Sequence, residues 1–340
     1  MHKITLIPGD GIGPSIMEAA VRVIEASGVS IQWDRQMAGM AAVDAVGTPL
    51  PEDTLDSIRR NRIAFKGPLT TPVGGGYRSV NVQLRQMFKL YANVRPATTF
   101  EGTRTPFNNV DMVIIRENTE GLYSGIEHEI GTDDEVLAAE SIALITRAGS
   151  ERVIRFAFEY ARKHGRKRVT VVHKANILKK TTGMFLEIAR TIAGDFPDIE
   201  FNDRIIDACA MRMVMSPEEF DVIVTTNLFG DILSDLAAGL VGGLGLIAGA
   251  NIGKEYAIFE AVHGSAPDIA GKNIANPTAV ILAGVMMLDH LREHEAARRI
   301  ERAVREVIRE CRCVTPDLNP ESGYGTQDMA DEIIRKMQSV

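Results

Sequence analysis

The sequence predicts an α/β protein, because short apolar runs typical of buried strands alternate with segments of helical periodicity along the whole chain. The chain has 340 residues, whereas a single domain usually has about 100 to 200, so two domains are expected. Hydrophobic residues make up 45% of the sequence and charged residues 24%, which is typical of a globular protein that buries a core.

The first strand, residues 3–7, leads into a glycine-rich turn at residues 8–13. Pro14 suits the first position of a helix, which Gly28 ends. Pro14 also occupies the place of the last glycine in the G-x-G-x-x-G fingerprint, so the fingerprint is not met. A second near-match, residues 243–248, follows a helix where a strand is required. We therefore do not predict a Rossmann dinucleotide fold.

The alternation continues through the next ninety residues. Residues 67–79 are rich in Gly, Pro and Thr and predict a loop, and loops of this length in a compact domain are usually functional. Pro96 is expected to end an extended segment that begins at Leu90, and the chain is expected to cross into a second domain at residues 96–103. The other elements predicted here are strands at 31–35 and 62–66, a helix at 52–61 and a helix from Val80.

Beyond Val110 the same pattern resumes, apart from a mixed segment rich in Ile, Glu and His that follows Tyr123. Because no flexible linker separates the halves, the chain is expected to cross between domains twice. This gives a large domain of residues 1–98 and 252–340 and a small domain of residues 99–251. The predicted strands lie at 111–117, 168–176, 199–206, 221–226 and from 255, and the predicted helices at 150–165, 183–196, 207–215, from 227, 278–291, 297–311 and 328–337.

Charge and cysteine content narrow the class of partner. The net charge of −7 argues against nucleic acid or an anionic membrane surface as the main partner, although a cluster of arginines can still bind an anionic substrate. Three cysteines, Cys209, Cys311 and Cys313, are too few for a disulfide framework or a zinc site. Reduced thiols and an N-terminus without a signal peptide's apolar stretch predict a cytoplasmic protein. No run approaches the roughly 18 apolar residues of a membrane span.

Asp231 and Asp235 lie one turn apart on the helix predicted after the strand at residues 221–226. Two carboxylates on one helix face repel each other unless a cation or a basic group lies between them, so the pair suggests a divalent metal site. Alternatively, Asp231 is an acid favoured by the helix dipole and Asp235 is a solvated surface residue.

Three arginines lie on or at the ends of neighbouring predicted elements: Arg85, Arg95 and Arg116. In α/β proteins, ligands bind at the ends of strands. Guanidinium groups bind carboxylates bidentately, so the three suit a substrate with two or three carboxylates, although each could instead form a surface ion pair. Ser79 and Asn81 precede Arg85 at a helix N-terminus, which favours an anion, while Ser79 also suits an N-cap.

Three further residues could have either a functional or a structural role: Lys174, Tyr123 and Asp207. Lys174 follows a strand and lies near Asn176, so it could act as a base or point into solvent. Tyr123 could donate a proton or be a half-buried aromatic residue. Asp207 could be an N-cap or a third oxygen ligand to a metal.

The ordered set of segments that carries these residues resembles the β-decarboxylating dehydrogenase family, which comprises isocitrate, isopropylmalate, homoisocitrate and tartrate dehydrogenases. The resemblance covers essentially the whole chain and implies a two-domain isopropylmalate-dehydrogenase-like fold with parallel and mixed sheets flanked by helices. It rests on IPGDGIGP, SVNVQLRQMFKLYANVRP, RENTEGLYSGIE, VHKANI, NLFGDILSDLAAGLVGGLG and FEAVHGSAPDIAGKNIANP, in that order.

The resemblance implies that Asp231 and Asp235 hold Mg²⁺ or Mn²⁺ together with Asp207 from the neighbouring subunit. It implies that Tyr123 and the neighbour's Lys174 are catalytic, so the protein is expected to be a homodimer with shared active sites. The helix of Asp231 is expected to pack through leucines 233, 236 and 240 in the core and at the dimer interface. The substrate-binding residues implied are Ser79, Asn81, Arg85, Arg95, Arg116, Tyr123, Lys174 and Asn176.

Within the family, the isocitrate branch uses a serine and an asparagine to reach the third carboxylate, and Ser79 and Asn81 match them. The resemblance therefore favours isocitrate over homoisocitrate, the closest competitor, and over 3-isopropylmalate, whose isopropyl group needs apolar contacts. A non-catalytic regulatory subunit is disfavoured because every catalytic position is present.

NAD is the expected cofactor. Asp268 and Ile269 stand where NADP-dependent relatives have a lysine and a tyrosine for the 2′-phosphate, and a carboxylate there would repel that phosphate and accept hydrogen bonds from a ribose diol. The cofactor-binding residues implied are Thr70, Thr71, Glu260, His263, Gly264, Ala266, Asp268, Ile269 and Asn276.

Overall fold

The computed structural model describes residues 1–72, 76–132 and 135–339. The centre of the predicted loop, residues 73–75, lies outside this range. The strands of the described residues are β1 (His2–Ile7), β2 (Ile31–Arg35), β3 (Ile63–Lys66), β4 (Ala92–Thr98), β5 (Asp111–Glu117), β6 (Glu127–Thr132), β7 (Glu135–Ser141), β8 (Arg168–His173), β9 (Glu200–Ile205), β10 (Val222–Thr225), β11 (Ala248–Ile252) and β12 (Ala257–Ala261).

Ten of these strands form one continuous sheet in the order β2-β1-β3-β12-β11-β4-β5-β10-β8-β9. Pairing is parallel at both ends of the sheet and antiparallel where β11 meets β12 and β4, and where β4 meets β5. Two parallel groups of strands therefore run in opposite directions and join through β11 and β4. The predicted α/β class with parallel and mixed pairing is confirmed. Because β4 and β11 pair across the middle, the ten strands form a single sheet.

Helices cover both faces of the sheet. One face, called the back face below, packs β-strand residues such as Phe65, Val94 and Ile115 against α1, α5, α6 and α9 to α11. The front face packs α3 and α4 at one end and α7 and α8 at the other. The helices are α1 (Gly13–Ala26), α2 (Met40–Val46), α3 (Glu52–Asn61), α4 (Val80–Met87), α5 (Arg147–Lys163), α6 (Thr182–Ala193), α7 (Ile206–Met215), α8 (Asn227–Val241), α9 (Thr278–His290), α10 (His294–Glu310) and α11 (Thr326–Gln338).

Pro96 does not end its strand. β4 continues to Thr98, because its pairing with β5 runs through Pro96 opposite Val113 and on to Thr98 opposite Asp111. Its pairing with β11 stops at Val94 opposite Ala250. A residue without an N–H is tolerated where one side of a strand has no ladder partner.

The mixed segment after Tyr123 contains an antiparallel pair of strands, β6 and β7, and all the residues of these two strands are exposed. Within residues 1–72, 76–132 and 135–339, no helix is both long enough and apolar enough to cross a bilayer.

Candidate active site

The three predicted arginines converge on the front face of the sheet, between α4 and α8. Arg85 lies in the last turn of α4, and Arg95 and Arg116 lie on the neighbouring strands β4 and β5. Side chains alternate between the two faces of a strand. Because Val94 and Ile115 face the back core, Arg95 and Arg116 must face the front. Both are buried, with 6% and 1% of their surface exposed.

Asp231 on α8 is the counter-ion of this cluster. Arg116 Nη1 donates to its carboxylate at short range, and Arg95 Nη1 lies 3.3 Å from the same oxygen. Tyr123 donates its hydroxyl to the other carboxylate oxygen at 2.5 Å. The guanidinium carbon of Arg116 also lies 4.9 Å from the centre of the Tyr123 ring.

The charges of this cluster shift the pKa values of its members. Burial by itself would raise the pKa of Asp231, but the positive charges of Arg116 and Arg95 outweigh burial and lower it. Burial and the neighbouring arginines lower the pKa of Arg116 to about 10, so its guanidinium stays charged at neutral pH. Burial and the hydrogen bond to Asp231 raise the pKa of Tyr123, so that its hydroxyl keeps a proton to donate.

Asp235 lies one turn after Asp231, and its Oδ1 is 3.9 Å from the same Arg95 nitrogen. Both carboxylates thus converge on one point, and the Asp235 side chain is 60% exposed there. Carboxylate oxygens are hard ligands of the kind that Mg²⁺ and Mn²⁺ prefer. The donor chemistry of this pair therefore fits a divalent cation.

Asp207 does not complete that pair within one chain. It lies at the start of α7, where Lys174 Nζ contacts its carboxylate at 2.9 Å. The hydrogen bond from Lys174 lowers the pKa of Asp207. Among the described residues, no group of three His, Cys, Asp or Glu side chains is close enough to hold a metal ion. Lys174 and Asp207 are thus brought together with each other, and Asn176 is exposed nearby.

Several polar atoms at the front of the sheet are buried and have no hydrogen-bond partner among the described residues. They include Nη2 of Arg116, Nε of Arg85 and Oδ1 of Asn81. Arg85 and Asn81 line a cavity of about 110 Å³ together with Arg95, Glu260 and His263. Buried donors and acceptors without partners are costly, so their concentration here indicates a polar ligand. The Ser79 hydroxyl caps α4 by accepting from the Val82 amide at 3.5 Å.

Lys66 and two asparagines, Asn93 and Asn251, belong to this site, although they are not among the residues predicted from the sequence. Lys66 Nζ lies 2.6 Å from Glu260, whose other oxygen is 3.4 Å from Arg85. Asn251 donates to Glu260 at 2.7 Å and accepts from Asn93, which in turn accepts from Arg95 Nε at 2.6 Å. A lysine at the end of a strand before a Gly-Pro turn was the available signal for Lys66; the asparagines carry no comparable pattern.

Most of the predicted cofactor residues lie on two adjoining turns, whereas Glu260 lies on β12 and Asn276 lies just before α9. The Thr70 hydroxyl bonds to that of Ser265 at 2.8 Å, and the Thr70 amide donates to Asp10 at 2.8 Å. Thr71 follows at the exposed end of the first turn. Gly11 packs so closely on the second turn that an added Cβ would lie 2.0 Å from the Ser265 carbonyl oxygen. The N-terminal glycines thus allow the close approach of these two turns.

The second turn carries the remaining cofactor candidates. Nε2 of His263 is buried without a partner among the described residues, and burial lowers the pKa of this imidazole. Gly264 and Asp268 are exposed, and Ala266 has a φ of 40°, which is strained for a residue with a Cβ. Ile269 ends the short helix that contains Asp268. The Asn276 amide is engaged locally, since it donates to Asp317 at 2.9 Å and accepts from the Thr278 amide.

Comparison with known proteins identifies the family of this chain. A family model described as isocitrate/isopropylmalate dehydrogenase matches residues 3–333. The chain belongs to the isocitrate/isopropylmalate dehydrogenase family. It is therefore an oxidoreductase that acts on a small-molecule substrate.

Individual members of the isocitrate/isopropylmalate dehydrogenase family resemble the chain over nearly its full length. The crystal structure of an isocitrate dehydrogenase from Methylococcus capsulatus superposes with a TM-score of 0.98 at 71% identity, covering 99% of this chain and 100% of that one. A probable mitochondrial isocitrate dehydrogenase [NAD] subunit alpha from Drosophila melanogaster is 51% identical, over 93% of this chain and 83% of its own. A mitochondrial isocitrate dehydrogenase [NAD] catalytic subunit 5 from Arabidopsis thaliana is 49% identical, over 94% and 84%.

The prediction of a cytoplasmic protein is wrong by this comparison, because the fly and plant members are named as mitochondrial proteins. The prediction rested on reduced cysteines, and free thiols separate reducing from oxidising compartments without singling out the cytosol. The cysteines themselves are free, as expected.

Proposed function

We propose that this enzyme catalyses the oxidative decarboxylation of isocitrate to 2-oxoglutarate and CO₂, with NAD as the oxidant and Mg²⁺ or Mn²⁺ as the metal. The observation that carries the proposal is the convergence of three guanidinium groups, of Arg85, Arg95 and Arg116, beside the carboxylates of Asp231 and Asp235. A tricarboxylate chelated to a divalent cation complements that arrangement of charges. The names of the relatives support the same substrate.

The arginines supply binding and orientation. Nη2 of Arg116 and Nε of Arg85 are buried donors without partners among the described residues, so a carboxylate that met them would gain hydrogen bonds without breaking existing ones. Asn81 and Ser79 stand at the start of α4, beside Arg85, where a third carboxylate would also meet the helix N-terminus. An isopropyl group would instead leave these polar atoms unpaired, which disfavours 3-isopropylmalate.

Proton transfers are assigned to Lys174 and Tyr123. When bound, the divalent cation lowers the pKa of the substrate hydroxyl and stabilises the negative charge that develops as CO₂ leaves. Lys174, together with the Asp207 carboxylate that it contacts, would take the hydroxyl proton, and the nicotinamide of NAD, when bound, would supply the acceptor for the hydride. Tyr123, whose raised pKa keeps it protonated, then donates a proton to the substrate carbon that has lost CO₂.

Lys174 and Asp207 would reach this site from a second copy of the chain in a homodimer. The β6–β7 strand pair supports a protein contact, because an isolated pair of antiparallel strands is marginally stable and this one exposes Val136 by 56% and Leu137 by 69%. α7, which begins beside Asp207, also exposes Met211 by 54% and Met215 by 65%. Of the three leucines predicted on α8, Leu233 and Leu240 are buried in the core and Leu236 is partly buried. We therefore expect the exposed Ile232 to make the α8 contact.

NAD rather than NADP is proposed from the exposed carboxylate of Asp268. The double substitution Asp268→Lys with Ile269→Tyr should shift the preference toward NADP. If the preference does not move, the cofactor is selected elsewhere, and the assignment of Asp268 fails.

We also propose that residues 1–98 and 252–340 form one domain and residues 99–251 the other. The two crossings would then fall at the end of β4 and within β11, the strands that join the two parallel groups of the sheet. Limited proteolysis of free and substrate-bound protein tests this division. Cleavage that never falls near residues 99 to 110 or 252 to 256 would count against it.

The deciding experiment is an assay that crosses isocitrate, homoisocitrate, 3-isopropylmalate and tartrate with NAD and NADP, with EDTA or with Mg²⁺ or Mn²⁺ added. We expect the highest kcat/KM for isocitrate with NAD, and no turnover with EDTA. A higher kcat/KM for homoisocitrate or 3-isopropylmalate would overturn the substrate. A purified chain that binds isocitrate but turns over none of the four would instead indicate a regulatory subunit.

A further inference from the structure

A second cavity lies on the back face of the sheet and encloses about 380 Å³. Its floor is formed by Val94 and Pro96 of β4 and by Ala250 and Ile252 of β11, and α5 and α9 stand on either side. The residues that alternate with this floor, Asn93, Arg95 and Asn251, face the active site. The cavity is therefore back to back with the active site, across the same two strands, and shares no lining residue with it.

Aromatic side chains form the wall of this back cavity on α5. Phe156, Tyr160 and His164 follow one another at intervals of four residues, so they form a single ridge along the helix. The ring centroids of Phe156 and Tyr160 are 6.3 Å apart, and those of Tyr160 and His164 are 4.1 Å apart and nearly parallel. This ridge offers flat apolar surfaces on which a planar ring can stack.

The opposite wall comes from α9 and is also apolar. Val285 and Met286 line it, and His290 stands at its end with its ring centroid 5.5 Å from that of Phe259. Methionine sulfur makes favourable contacts with aromatic rings. The volume falls within the range of roughly 300–1,000 Å³ that is typical of small-molecule sites, and an apolar lining with a few polar groups at the edge is typical as well.

The charges at the edge of the back cavity disfavour an anion. Glu159 and Asp289 contribute two carboxylates against one ammonium group, that of Lys163, although Asp289 also contacts His294. Burial lowers the pKa values of His164 and His290, so both imidazoles are neutral near pH 7. α5 and α9 both end at the cavity, and helix C-termini carry partial negative charge.

We propose that the back cavity is a binding site for a planar aromatic molecule that is uncharged or cationic. Its chemistry is the opposite of that of the active site, where arginines receive a polyanion. The proposal does not depend on which 2-hydroxy acid is the substrate, because it rests on side chains of α5, α9, β4, β11 and β12 that line the back cavity.

The test uses proflavine, a planar aromatic cation, in a fluorescence titration of the full-length protein at about 0.15 M salt, where long-range attraction to the acidic surface is screened. We expect one molecule per chain with a dissociation constant in the micromolar range (about 1–100 μM), and no loss of that stoichiometry when either isocitrate with Mg²⁺ or NAD alone is present at saturation. The anionic dye 1-anilinonaphthalene-8-sulfonate should bind more weakly.

Two substitutions by phenylalanine on α9 distinguish proflavine bound in the back cavity from proflavine bound elsewhere on the surface. Val285→Phe fills the cavity and should weaken proflavine binding by about tenfold or more. Leu282→Phe introduces the same aromatic side chain one turn earlier, where the side chain does not line the cavity, and should leave binding unchanged. Glu159→Gln should weaken binding by a few-fold (about 2–5) through the lost carboxylate.

Equal affinity of Val285→Phe and the unsubstituted protein, or tighter binding of the anionic dye, would overturn the proposal. A crystal of the unsubstituted protein soaked in proflavine provides a measurement that does not depend on any variant. Density between α5 and α9 would support the site, and density found only elsewhere would reject it.

Discussion

At the scale of single residues, Glu260 is a buried carboxylate whose charge is balanced by buried basic groups. Its carboxylate is enclosed by Lys66 at 2.6 Å, Arg85 at 3.4 Å and the Asn251 amide at 2.7 Å. Lys66 is 2% exposed and also donates to the Gly67 carbonyl. A buried pair of this kind adds little net stability, yet removing one partner leaves the other charge uncompensated.

Glu260→Gln should therefore lower the free energy of unfolding at pH 7 by about 3–5 kcal/mol, because Lys66 keeps its charge and loses its counter-ion. Urea unfolding followed by circular dichroism measures the change. The matched control is Glu255→Gln, whose side chain is 58% exposed and pairs only loosely with Arg62 at 3.5 Å, and which should change the free energy by less than about 1 kcal/mol. Similar losses in both variants would contradict the account.

The pH dependence of the same pair has a defined sign. Burial alone would raise the pKa of Glu260, but Lys66 and Arg85 outweigh it and lower the pKa from 4.5 to about 2. The folded state thus favours the carboxylate, and the stabilisation, roughly 3 kcal/mol, is complete above pH 4.5 and is lost as the pH falls from 4.5 toward 2. The stability difference between the unsubstituted protein and Glu260→Gln should shrink between pH 5 and 3; a constant difference would refute the coupling.

Arg85→Lys tests whether the fork of the guanidinium group binds substrate. Lysine keeps the charge near Glu260 but cannot present the buried Nε donor that Arg85 leaves unpartnered, so kcat/KM for isocitrate should fall by about 100-fold, mainly through KM. Arg78→Lys is the control, since Arg78 is exposed just before the same helix and should change kcat/KM by less than about twofold. A large loss in both variants would point to a general charge effect.

The arginines, aspartates and Tyr123 of this site could be predicted because they lie within segments whose order is specific to the family. Lys66, Asn93 and Asn251 could not. Their role depends on which residues of β3, β4 and β11 face the front, and on the alignment of Asn93 with Asn251 across an antiparallel pair. That register joins residues 158 positions apart, and no local pattern encodes it.

At the scale of elements, α8 brings the acidic pair to the arginines because it approaches β5 very closely. An added Cβ on Gly230 would lie 2.6 Å from Cβ of Arg116, whereas one on Gly239 in the same helix would meet no atom within 4 Å. Asn227 at the start of α8 accepts from Arg116 Nε at 2.8 Å and donates to the Glu120 carbonyl. Gly230 therefore sets the distance between Asp231 and Arg116.

Gly230→Ala should push α8 away from β5, lower the free energy of unfolding by about 1–3 kcal/mol and reduce kcat/KM, because Asp231 moves from its partners. Gly239→Ala should raise the free energy of unfolding by up to about 1 kcal/mol, since alanine favours a helix interior, and should leave kcat/KM unchanged. Thermal unfolding and steady-state rates of both variants provide the comparison. If Gly230→Ala behaves like Gly239→Ala, the close approach has no functional role.

Elements with strong local patterns were predicted to within a few residues, and β2, α3 and β5 match their predicted bounds. β11 was not predicted, because its sequence AGANI combines small and polar residues and becomes a strand through pairing with β4 and β12 on both sides. The prediction that Pro96 ends its strand was wrong for the same reason, because pairing with neighbouring strands decides where a strand ends. The β6–β7 strand pair has no buried face within one chain and so lacks the alternation that identifies a strand.

For the whole molecule, the central question is whether each active site needs two chains. In one chain, Lys174 pairs with Asp207 at 2.9 Å, while Asp231 contacts Arg116 and Tyr123, and no described group of three metal-binding side chains unites the two sets. Under the proposed function, each chain would thus carry two separate parts of the site. In a twofold symmetric dimer, one part from each chain can complete the other part of its partner.

Mixed dimers test this arrangement directly. Asp231→Asn and Lys174→Ala should each abolish activity in homodimers. If sites are shared, a mixed dimer of the two variants combines the intact Asp231 of one chain with the intact Lys174 of the other and regains one complete site. Random co-assembly of equal amounts should then restore about one quarter of the activity, since about half of the dimers are mixed and each has one working site of two.

The control mixes Asp231→Asn with Arg116→Lys, two substitutions on the same side of the site, which should restore no activity because each site still receives one damaged set. Activity from the first mixture and none from the second requires shared sites. If neither mixture is active although co-purification through a tag on one variant shows mixed dimers, each site must be complete within one chain, and Lys174 with Asp207 must reach Asp231 by a rearrangement of that chain.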